Sequence, residues 1–239
     1  MLCNSWGRSP RGRRRIASVA EMNGIQLQVN PTEPVVAVVP LPKWKRTVDL
    51  IAATVGLVLL LPVFVIVGLV IKLTSHGPVF FKHKRYGYLG KPFWVWKFRT
   101  MHIATDPEVH QQHVNELFAR QRVLKKLDNP DQLIPFGKLL RSSAIDELPQ
   151  LINIFKGEMS LVGPRPDVVP IEKYSPEHQT RFKVAPGLTG LWQVSGKNET
   201  TFEEMMQLDA EYVENRTLWL DLKILFLTVP AILKLIVTE

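Results

Sequence analysis

The chain has 239 residues, a formal net charge of +8 and a hydrophobic content of 46%, with its apolar residues concentrated in one block near the start. This length accommodates one catalytic domain with an anchor and a tail, and the apolar block indicates a membrane, whereas charge alone does not choose among lipid, nucleotide, nucleic acid and solubility. The only cysteine, Cys3, excludes an intramolecular disulfide and a cysteine-rich zinc site, so a reducing cytoplasm is the simplest compartment.

Residues 1–42 form a basic arm. It contains the run Arg13–Arg15 and then prolines at positions 31, 34, 40 and 42, without a sustained helical period. This composition predicts a largely disordered tail that helps to hold an anionic membrane. A secretory signal is not expected, because no apolar stretch of sufficient length follows the arginines.

An uncharged apolar segment follows, from Leu50 to Ile71. At about 1.5 Å rise per residue, a helix of this length could cross a hydrocarbon core of about 30 Å. Pro62 lies in its middle and predicts a kink, because proline cannot donate to the preceding turn. Basic residues flank both ends, so the positive-inside rule indicates no direction. Two topologies fit: a kinked full span, and a re-entrant helix with both ends in the cytosol.

The composition of the chain after Ile71 is typical of a soluble domain. Residues 78–81 and 93–98 predict two short strands around the turn-rich sequence Tyr86–Gly90. Residues 106–127 predict a charged, solvent-facing helix. The amphipathic stretch Leu139–Lys156 predicts helix that ends at Gly157, a good C-cap residue.

Two further helices are predicted near the C-terminus. Thr201 and Glu204 form a capping-box pattern. The apolar residues that follow lie largely on one helical face, and this pattern is more typical of a core than of a ligand site: Phe202, Met205, Met206, Leu208, Tyr212 and Val213. Residues 218–237 predict an interfacial helix that Pro230 interrupts.

The densest chemical signal is the stretch from Arg141 to Gln150. Pro149 is tolerated only in the first turn of a helix, which predicts Asp146 as the N-cap and Glu147 as the first helical residue. Because neighbouring helical positions point about 100° apart, the two carboxylates could divide roles between a metal or phosphorus and a partner group. A plain capping pair at a solvated helix start would have the same signature.

Basic residues on both sides of this stretch add to the signal. Arg165 lies between two prolines, so its backbone is stiff and its guanidinium could meet a phosphate at little entropic cost. Lys97 and Arg99 share one face of a predicted strand. Two acids beside a divalent cation and fixed positive groups suit phosphoryl transfer. The basic candidates are Lys97, Arg99, Arg141 and Arg165.

Five motif blocks, in this order, resemble the bacterial sugar transferase family, the monotopic phosphoglycosyl transferases. The blocks are Lys45–Asp49, Lys97–Met101, Arg141–Gln150, Gly157–Pro166 and Pro186–Gly196. The resemblance runs from about Lys43 to the C-terminus, and it is specific because five separated blocks occur in family order.

The resemblance implies a catalytic dyad of Asp146 and Glu147. Asp146 would attack the sugar-linked phosphorus, release a nucleoside monophosphate and carry the phospho-sugar until a polyprenyl phosphate takes it. A magnesium ion would lie near Asp146. Arg165 would hold the nucleotide side of the donor, while Lys97 and Arg141 would neutralise phosphates. The substrate-binding role of Arg99 is predicted only because Arg99 shares a strand face with Lys97.

The fold expected from this resemblance is mostly α with a small β-hairpin. The resemblance also implies a monotopic membrane protein. In such a protein, a re-entrant helix broken at Pro62 and interfacial amphipathic helices surround a cytosolic catalytic core. The expected division is a basic arm at 1–42, the membrane helix at 43–75 and the catalytic domain at 76–239. The expected location is the cytoplasmic face of the bacterial inner membrane.

The implied partners are a UDP-sugar donor, a polyprenyl phosphate acceptor and membrane lipids, but not nucleic acid. A homodimer is compatible with this pattern. The stretch Leu191–Gly196 resembles exopolysaccharide-initiating members, so glucose and galactose are the leading sugars.

Two alternatives compete with this hypothesis. A non-catalytic, membrane-tethered protein could use its basic surface to bind anionic lipid or nucleic acid, and Asp146 and Glu147 would then be dispensable. An enzyme with the same substrates could instead transfer the phospho-sugar directly in a ternary complex, which would leave nothing covalently bound to Asp146.

Overall fold

The computed structural model describes residues 42–102, 132–196 and 200–238. The predicted basic arm, apart from its last residue, and the predicted helix at 106–127 lie outside the described residues. Within the described ranges the chain is mostly helical and contains a small antiparallel β-hairpin, as the sequence predicts.

The apolar segment folds as two helices, α1 (Lys43–Leu59) and α2 (Leu61–Thr74), which meet at a bend of 58°. Pro62 lies in the first turn of α2, where its missing N–H breaks no helical hydrogen bond. The predicted kink is therefore confirmed. No single helix among the described residues is long and apolar enough to cross a membrane, whereas the bent pair meets this criterion by length and composition alone. Such a bend fits both a broken span and a re-entrant helix.

The predicted hairpin consists of β1 (Phe80–Tyr86) and β2 (Pro92–Phe98), paired antiparallel over their full length. Both strands differ in length from the prediction, and β1 continues to Tyr86, which pairs with Pro92 of β2. A second, parallel pair, β3 (Ser160–Val162) and β4 (Gly187–Thr189), was not predicted. Each strand of this pair has three residues, too few for a period-2 pattern to be recognised.

Glycine makes the parallel pair and its neighbouring loop sterically feasible. A Cβ atom on Gly187 would lie 2.1 Å from the Gly163 nitrogen, and one on Gly163 would lie 2.5 Å from the Ala185 carbonyl oxygen. Only residues without a side chain allow the two backbones to approach this closely. The loop that carries Arg165 is thereby held against β4.

The stretch predicted to be amphipathic helix is divided into α3 (Gly137–Ser142), a 3₁₀ turn (Ile145–Glu147) and α4 (Gln150–Lys156). Asp146 is not an N-cap as predicted, since it lies inside the turn and Pro149 is the residue that precedes α4. The cause is Ala144, whose φ of 56° ends α3 and redirects the chain before the dyad. Gly157, with φ of 84°, ends α4 as predicted.

The C-terminal part contains α5 (Leu191–Val194), α6 (Phe202–Asn215) and α7 (Leu218–Thr238). The predicted capping box is present: the Glu204 N–H donates to the Thr201 hydroxyl at 3.2 Å, and the Thr201 N–H donates to the Glu204 carboxylate at 2.8 Å. The predicted core role of this helix is confirmed by its buried side chains Phe202, Met205, Met206 and Tyr212.

Helix α7 continues through Pro230, so the predicted interruption is wrong. A proline removes one hydrogen bond from a helix, and the turns on either side of Pro230 retain theirs. This helix buries Asp221 and Ile224 but leaves large apolar side chains exposed, among them Trp219 and Phe226.

Polar contacts fix α1 to the rest of the chain. The buried Lys45 ammonium pairs with Asp221 of α7, 176 residues further along the chain. The Asp49 carboxylate accepts hydrogen bonds from the Ser160 hydroxyl at 3.1 Å and from the Leu161 N–H at 2.9 Å. The motif at the start of the apolar segment therefore joins α1 to α7 and β3.

Candidate active site

The predicted dyad lies in a buried turn. Asp146 is 4% exposed and Glu147 is 7% exposed, and the Glu147 N–H donates to the Ala144 carbonyl. Neither carboxylate caps a helix, because the residues before the turn and before α4 are Ala144 and Pro149. A capping pair at a solvated helix start is therefore excluded for these two acids.

Two cations share the Glu147 carboxylate. The Lys97 ammonium, from β2, donates to Oε1 at 2.8 Å. The Arg165 guanidinium binds both oxygens, with Nη2 at 2.7 Å from Oε1 and Nη1 at 3.2 Å from Oε2. Such a two-point pair fixes the plane of the carboxylate as well as its distance. The fold therefore brings together three predicted site residues: Lys97, Glu147 and Arg165.

The two carboxylates of the dyad stabilise the charged form of Arg165. The Glu147 charge is the main cause that raises the pKa of Arg165, burial opposes this shift, and the Asp146 charge adds to it. Asp146 therefore lies close enough to the guanidinium to interact with it electrostatically. The site combines two adjacent carboxylates with fixed positive charge, as the sequence predicts.

A buried charged cluster supports the loop that carries Arg165. Arg181 donates to the Arg165 carbonyl oxygen at 2.9 Å, and it also pairs with Asp167 at 2.9 Å and with Asp209 at 3.1 Å. All three charged side chains are buried. Sequence reasoning missed this cluster, and the only signal was an arginine placed directly before the apolar residue Phe182.

One guanidinium cannot satisfy two buried carboxylates equally. Burial is the largest single influence on Asp167 and works to raise its pKa, but Arg181, the Tyr174 hydroxyl and Arg85 together outweigh burial, and the pKa is lowered. For Asp209, burial dominates over Arg181 and raises the pKa to about 7, and the Asp167 charge adds to this shift. Asp167 is thus the ionised partner of Arg181, and Asp209 titrates near neutral pH.

The other two predicted cations occupy different positions. Arg141 lies half-buried in the last turn of α3, five positions before Asp146. Arg99 follows β2 and is 4% exposed, and its guanidinium donates to the Ser75 carbonyl and hydroxyl and to the carbonyls of His76 and Pro78. These bonds fix the segment between α2 and β1. The structure thus gives Arg99 a structural role, and its predicted substrate contact stays a prediction.

Arg85 is a cation near the site that the sequence analysis did not select. It is half-buried, and it interacts electrostatically with Arg165, Asp167 and Glu147. Burial, followed by the Arg165 charge, lowers the pKa of Arg85 to about 10. The signal that could have found it is strand alternation, because Arg85 and Lys97 share one face of the hairpin.

The residues present fit a magnesium ion that is bound jointly with substrate. Within the described ranges, no group of three or more histidine, cysteine or acidic side chains could enclose a metal. Cations occupy both oxygens of Glu147, so Asp146 is the carboxylate of the dyad that is suited to a metal. One or two carboxylates together with substrate phosphates are a typical donor set for Mg²⁺.

The chain is similar in sequence to known proteins. A family model described as "Bacterial sugar transferase" matches residues 41–235, which include the dyad and all four predicted cations.

Three similar proteins have names that specify an activity or pathway. The exopolysaccharide production protein ExoY of Rhizobium meliloti (strain 1021) is 40% identical over 79% of this chain and 84% of its own. The UDP-glucose:undecaprenyl-phosphate glucose-1-phosphate transferase of Caulobacter vibrioides is 39% identical over 79% of this chain and 69% of its own. The undecaprenyl-phosphate galactose phosphotransferase of Salmonella typhimurium is 38% identical over 80% of this chain and 40% of its own.

Proposed function

The chain belongs to the bacterial sugar transferase family, and we propose that it moves a hexose 1-phosphate from a UDP-sugar to a polyprenyl phosphate at the start of exopolysaccharide synthesis. The observation that carries this proposal is the buried pair Asp146 and Glu147, with Glu147 held by Lys97 and Arg165. The relatives named for UDP-glucose and for galactose support a hexose donor.

The proposed reaction has two displacements at phosphorus. In the first, a carboxylate oxygen of Asp146 attacks the sugar-linked phosphorus, the bond to the bridging oxygen breaks, and UMP leaves with that oxygen. In the second, a phosphate oxygen of the polyprenyl phosphate attacks the same phosphorus. The acyl phosphate bond then breaks, the Asp146 carboxylate is regenerated, and a polyprenyl diphosphate sugar is released.

The neighbours of Asp146 support this chemistry. Glu147 holds Lys97 and Arg165 in fixed positions, so their charges need not reorganise as charge develops on the phosphoryl oxygens. Mg²⁺ held by Asp146 and the donor phosphates would offset further negative charge. Arg141 is proposed to neutralise a phosphate from the end of α3.

The acceptor requires that the site lie at a membrane surface. We place the chain on the cytoplasmic face of the bacterial inner membrane, with α1 and α2 as a re-entrant pair and α7 in the interface. Exposed apolar side chains on these helices support this placement, including Leu59, Leu73 and Phe226, which are 70%, 83% and 78% exposed. An active site on the bilayer can meet the acceptor phosphate while the prenyl tail stays in lipid.

The test is UMP release by the purified full chain in nanodiscs with Mg²⁺ and undecaprenyl phosphate, with UDP-glucose and UDP-galactose as separate donors. We expect release with at least one donor, dependent on the acceptor after the first turnover. Absence of UMP release across a wider panel of UDP-sugars would contradict the proposal and favour a non-catalytic protein.

A second measurement tests the covalent step. UDP-glucose or UDP-galactose labelled in the β-phosphate is added without acceptor, and the protein is separated from free label. We expect label on the wild type and none on Asp146→Asn. Acceptor-dependent turnover without any labelled protein would favour direct transfer in a ternary complex.

A further inference from the structure

Arg85 lies at the end of β1 that meets the loop carrying Arg165. Its neighbour Tyr86 exchanges two backbone hydrogen bonds with Asp167, at 2.8 and 3.3 Å. In the hairpin register Arg85 pairs with Phe93, and Lys97 pairs with Phe81, so Arg85 and Lys97 project from the same face. Arg85 therefore lies on the face of the hairpin from which Lys97 contacts Glu147.

The hydrogen bonds of Arg85 are weaker than those of its cationic neighbours. In the described part of the chain, they go to the Pro166 carbonyl oxygen and to the His83 Nδ1, both at 3.4 Å. These distances lie beyond the range of strong N–H···O bonds. The contacts of Lys97 and Arg165 with Glu147 measure 2.7 to 2.8 Å at their shortest.

Burial and the Arg165 charge disfavour the charged form of Arg85 more than the neighbouring carboxylates Asp167 and Glu147 favour it, so a further bound anion would stabilise it. Its guanidinium remains charged at neutral pH, although burial and the neighbouring Arg165 lower its pKa to about 10. Glu147 already balances Arg165 through two hydrogen bonds. Two guanidinium groups in a partly desolvated site repel each other, and a phosphate that contacts both would reverse this cost.

We propose that Arg85 and Arg165 form a guanidinium pair that binds the diphosphate of the nucleotide-sugar donor. Both terminal nitrogens of Arg165 already donate to Glu147, which leaves Arg165 fewer N–H groups for the ligand, and Arg85 supplies additional donors. The planar fork of arginine matches the spacing of phosphate oxygens. This inference rests on the proposed function, and it adds a substrate-binding residue on the hairpin.

The test compares Arg85→Gln with the wild type, as full chains in nanodiscs. UDP binding is measured by calorimetry without acceptor, and KM is measured separately for the UDP-sugar and for undecaprenyl phosphate. We expect the Kd for UDP and the KM for the donor to rise about tenfold, because charge-assisted hydrogen bonds to phosphate are lost. The KM for undecaprenyl phosphate should stay within about twofold.

Lys84→Gln is the matched control. Lys84 is the adjacent, exposed residue on the opposite face of the hairpin, so its substitution removes the same formal charge without affecting the Arg165 side. We expect the affinity of this variant for UDP to stay within about twofold of the wild type. An equal loss in both variants would show a general electrostatic effect and overturn the inference.

Arg85→Lys keeps the test valid if Arg85→Gln does not fold. This variant retains the charge but loses the fork, so we expect an intermediate loss of about threefold in UDP affinity. Unchanged UDP affinity in the variant that folds would overturn the inference. A wild type that neither binds UDP nor releases UMP would instead contradict the proposed function, so the two failures are distinguishable.

Discussion

Two buried charge clusters lie on either side of the Arg165 backbone, and their stoichiometries differ. In the dyad, the two cations Lys97 and Arg165 share one carboxylate, Glu147. In the supporting cluster, the two carboxylates Asp167 and Asp209 share one cation, Arg181. With Asp146 counted, the first cluster pairs two cations with two carboxylates, whereas the second has one carboxylate more than its single cation balances.

This difference agrees with a proposed substrate site in the first cluster and a supporting role for the fold in the second. In the first cluster, cations held in place beside Asp146 could offset the charge of the phosphate that we propose it binds. In the second cluster, the additional carboxylate is neutralised within the protein, because burial raises the pKa of Asp209 and lets it take up a proton near neutral pH. Substitutions in the two clusters should therefore affect different measurements, catalysis in the first and folding stability in the second.

The largest effect is expected for Asp146→Asn, which removes the proposed nucleophile. We expect kcat for UMP release to fall by at least about 10³-fold, while the thermal midpoint stays close to that of the wild type. Glu203→Gln, an exposed change in α6, is the control and should keep full activity. Retention of turnover in Asp146→Asn would contradict the assignment of the nucleophile.

Arg181→Gln should act mainly on stability. Removing this guanidinium leaves Asp167 and Asp209 buried without their shared partner, which should lower the free energy of unfolding by about 3 kcal/mol or more. Denaturant unfolding monitored by tryptophan fluorescence measures the change. The control is Lys173→Gln, which removes an exposed charge and should change stability by less than about 0.5 kcal/mol. A loss of activity without a loss of stability would contradict the division between the clusters.

Glu147→Gln sharpens the comparison within the dyad. The substitution releases Lys97 and Arg165 from their shared carboxylate, so we expect kcat to fall by about 10²-fold because both cations lose their fixed positions. UDP affinity should not weaken, since the released Arg165 can turn toward phosphate. Steady-state kinetics and calorimetry separate the two effects. A large loss of UDP affinity with normal kcat would contradict this role of Glu147.

A change of pH should alter the stability of the second cluster gradually. The pKa of Asp209 is about 7 in the folded chain and near 3.8 when unperturbed, so between these values the folded state holds a proton that the unfolded state releases. This group therefore makes the free energy of unfolding decrease as pH rises from about 4 to 7, by up to about 3 kcal/mol over the window, and has little further effect above it. Asp209→Asn should remove this part of the slope. Parallel stability curves for the two proteins between pH 4.5 and 7.5 would contradict the shifted titration.

Much of the local structure could be predicted because it depends on neighbours in the chain. The kink at Pro62, the end of α4 at Gly157 and the capping box at Thr201 follow from residue chemistry within one or two helical turns. The hairpin was predictable for the same reason. The prediction of Asp146 as an N-cap was wrong. The chain turns at Ala144 in a left-handed conformation, and the sequence does not indicate this turn because position 144 is neither glycine nor asparagine.

The sequence by itself determined the candidate chemistry: a bent apolar anchor, an acidic pair and a set of basic residues in family order. Only the tertiary structure decided which charges meet. Lys97 reaches Glu147 across 50 residues of chain, whereas Arg99, two positions later, turns to the carbonyls that precede β1. The physical reason is that the pairing of a buried charge depends on the partners that packing brings within about 3 Å, and residue type and spacing do not specify those partners.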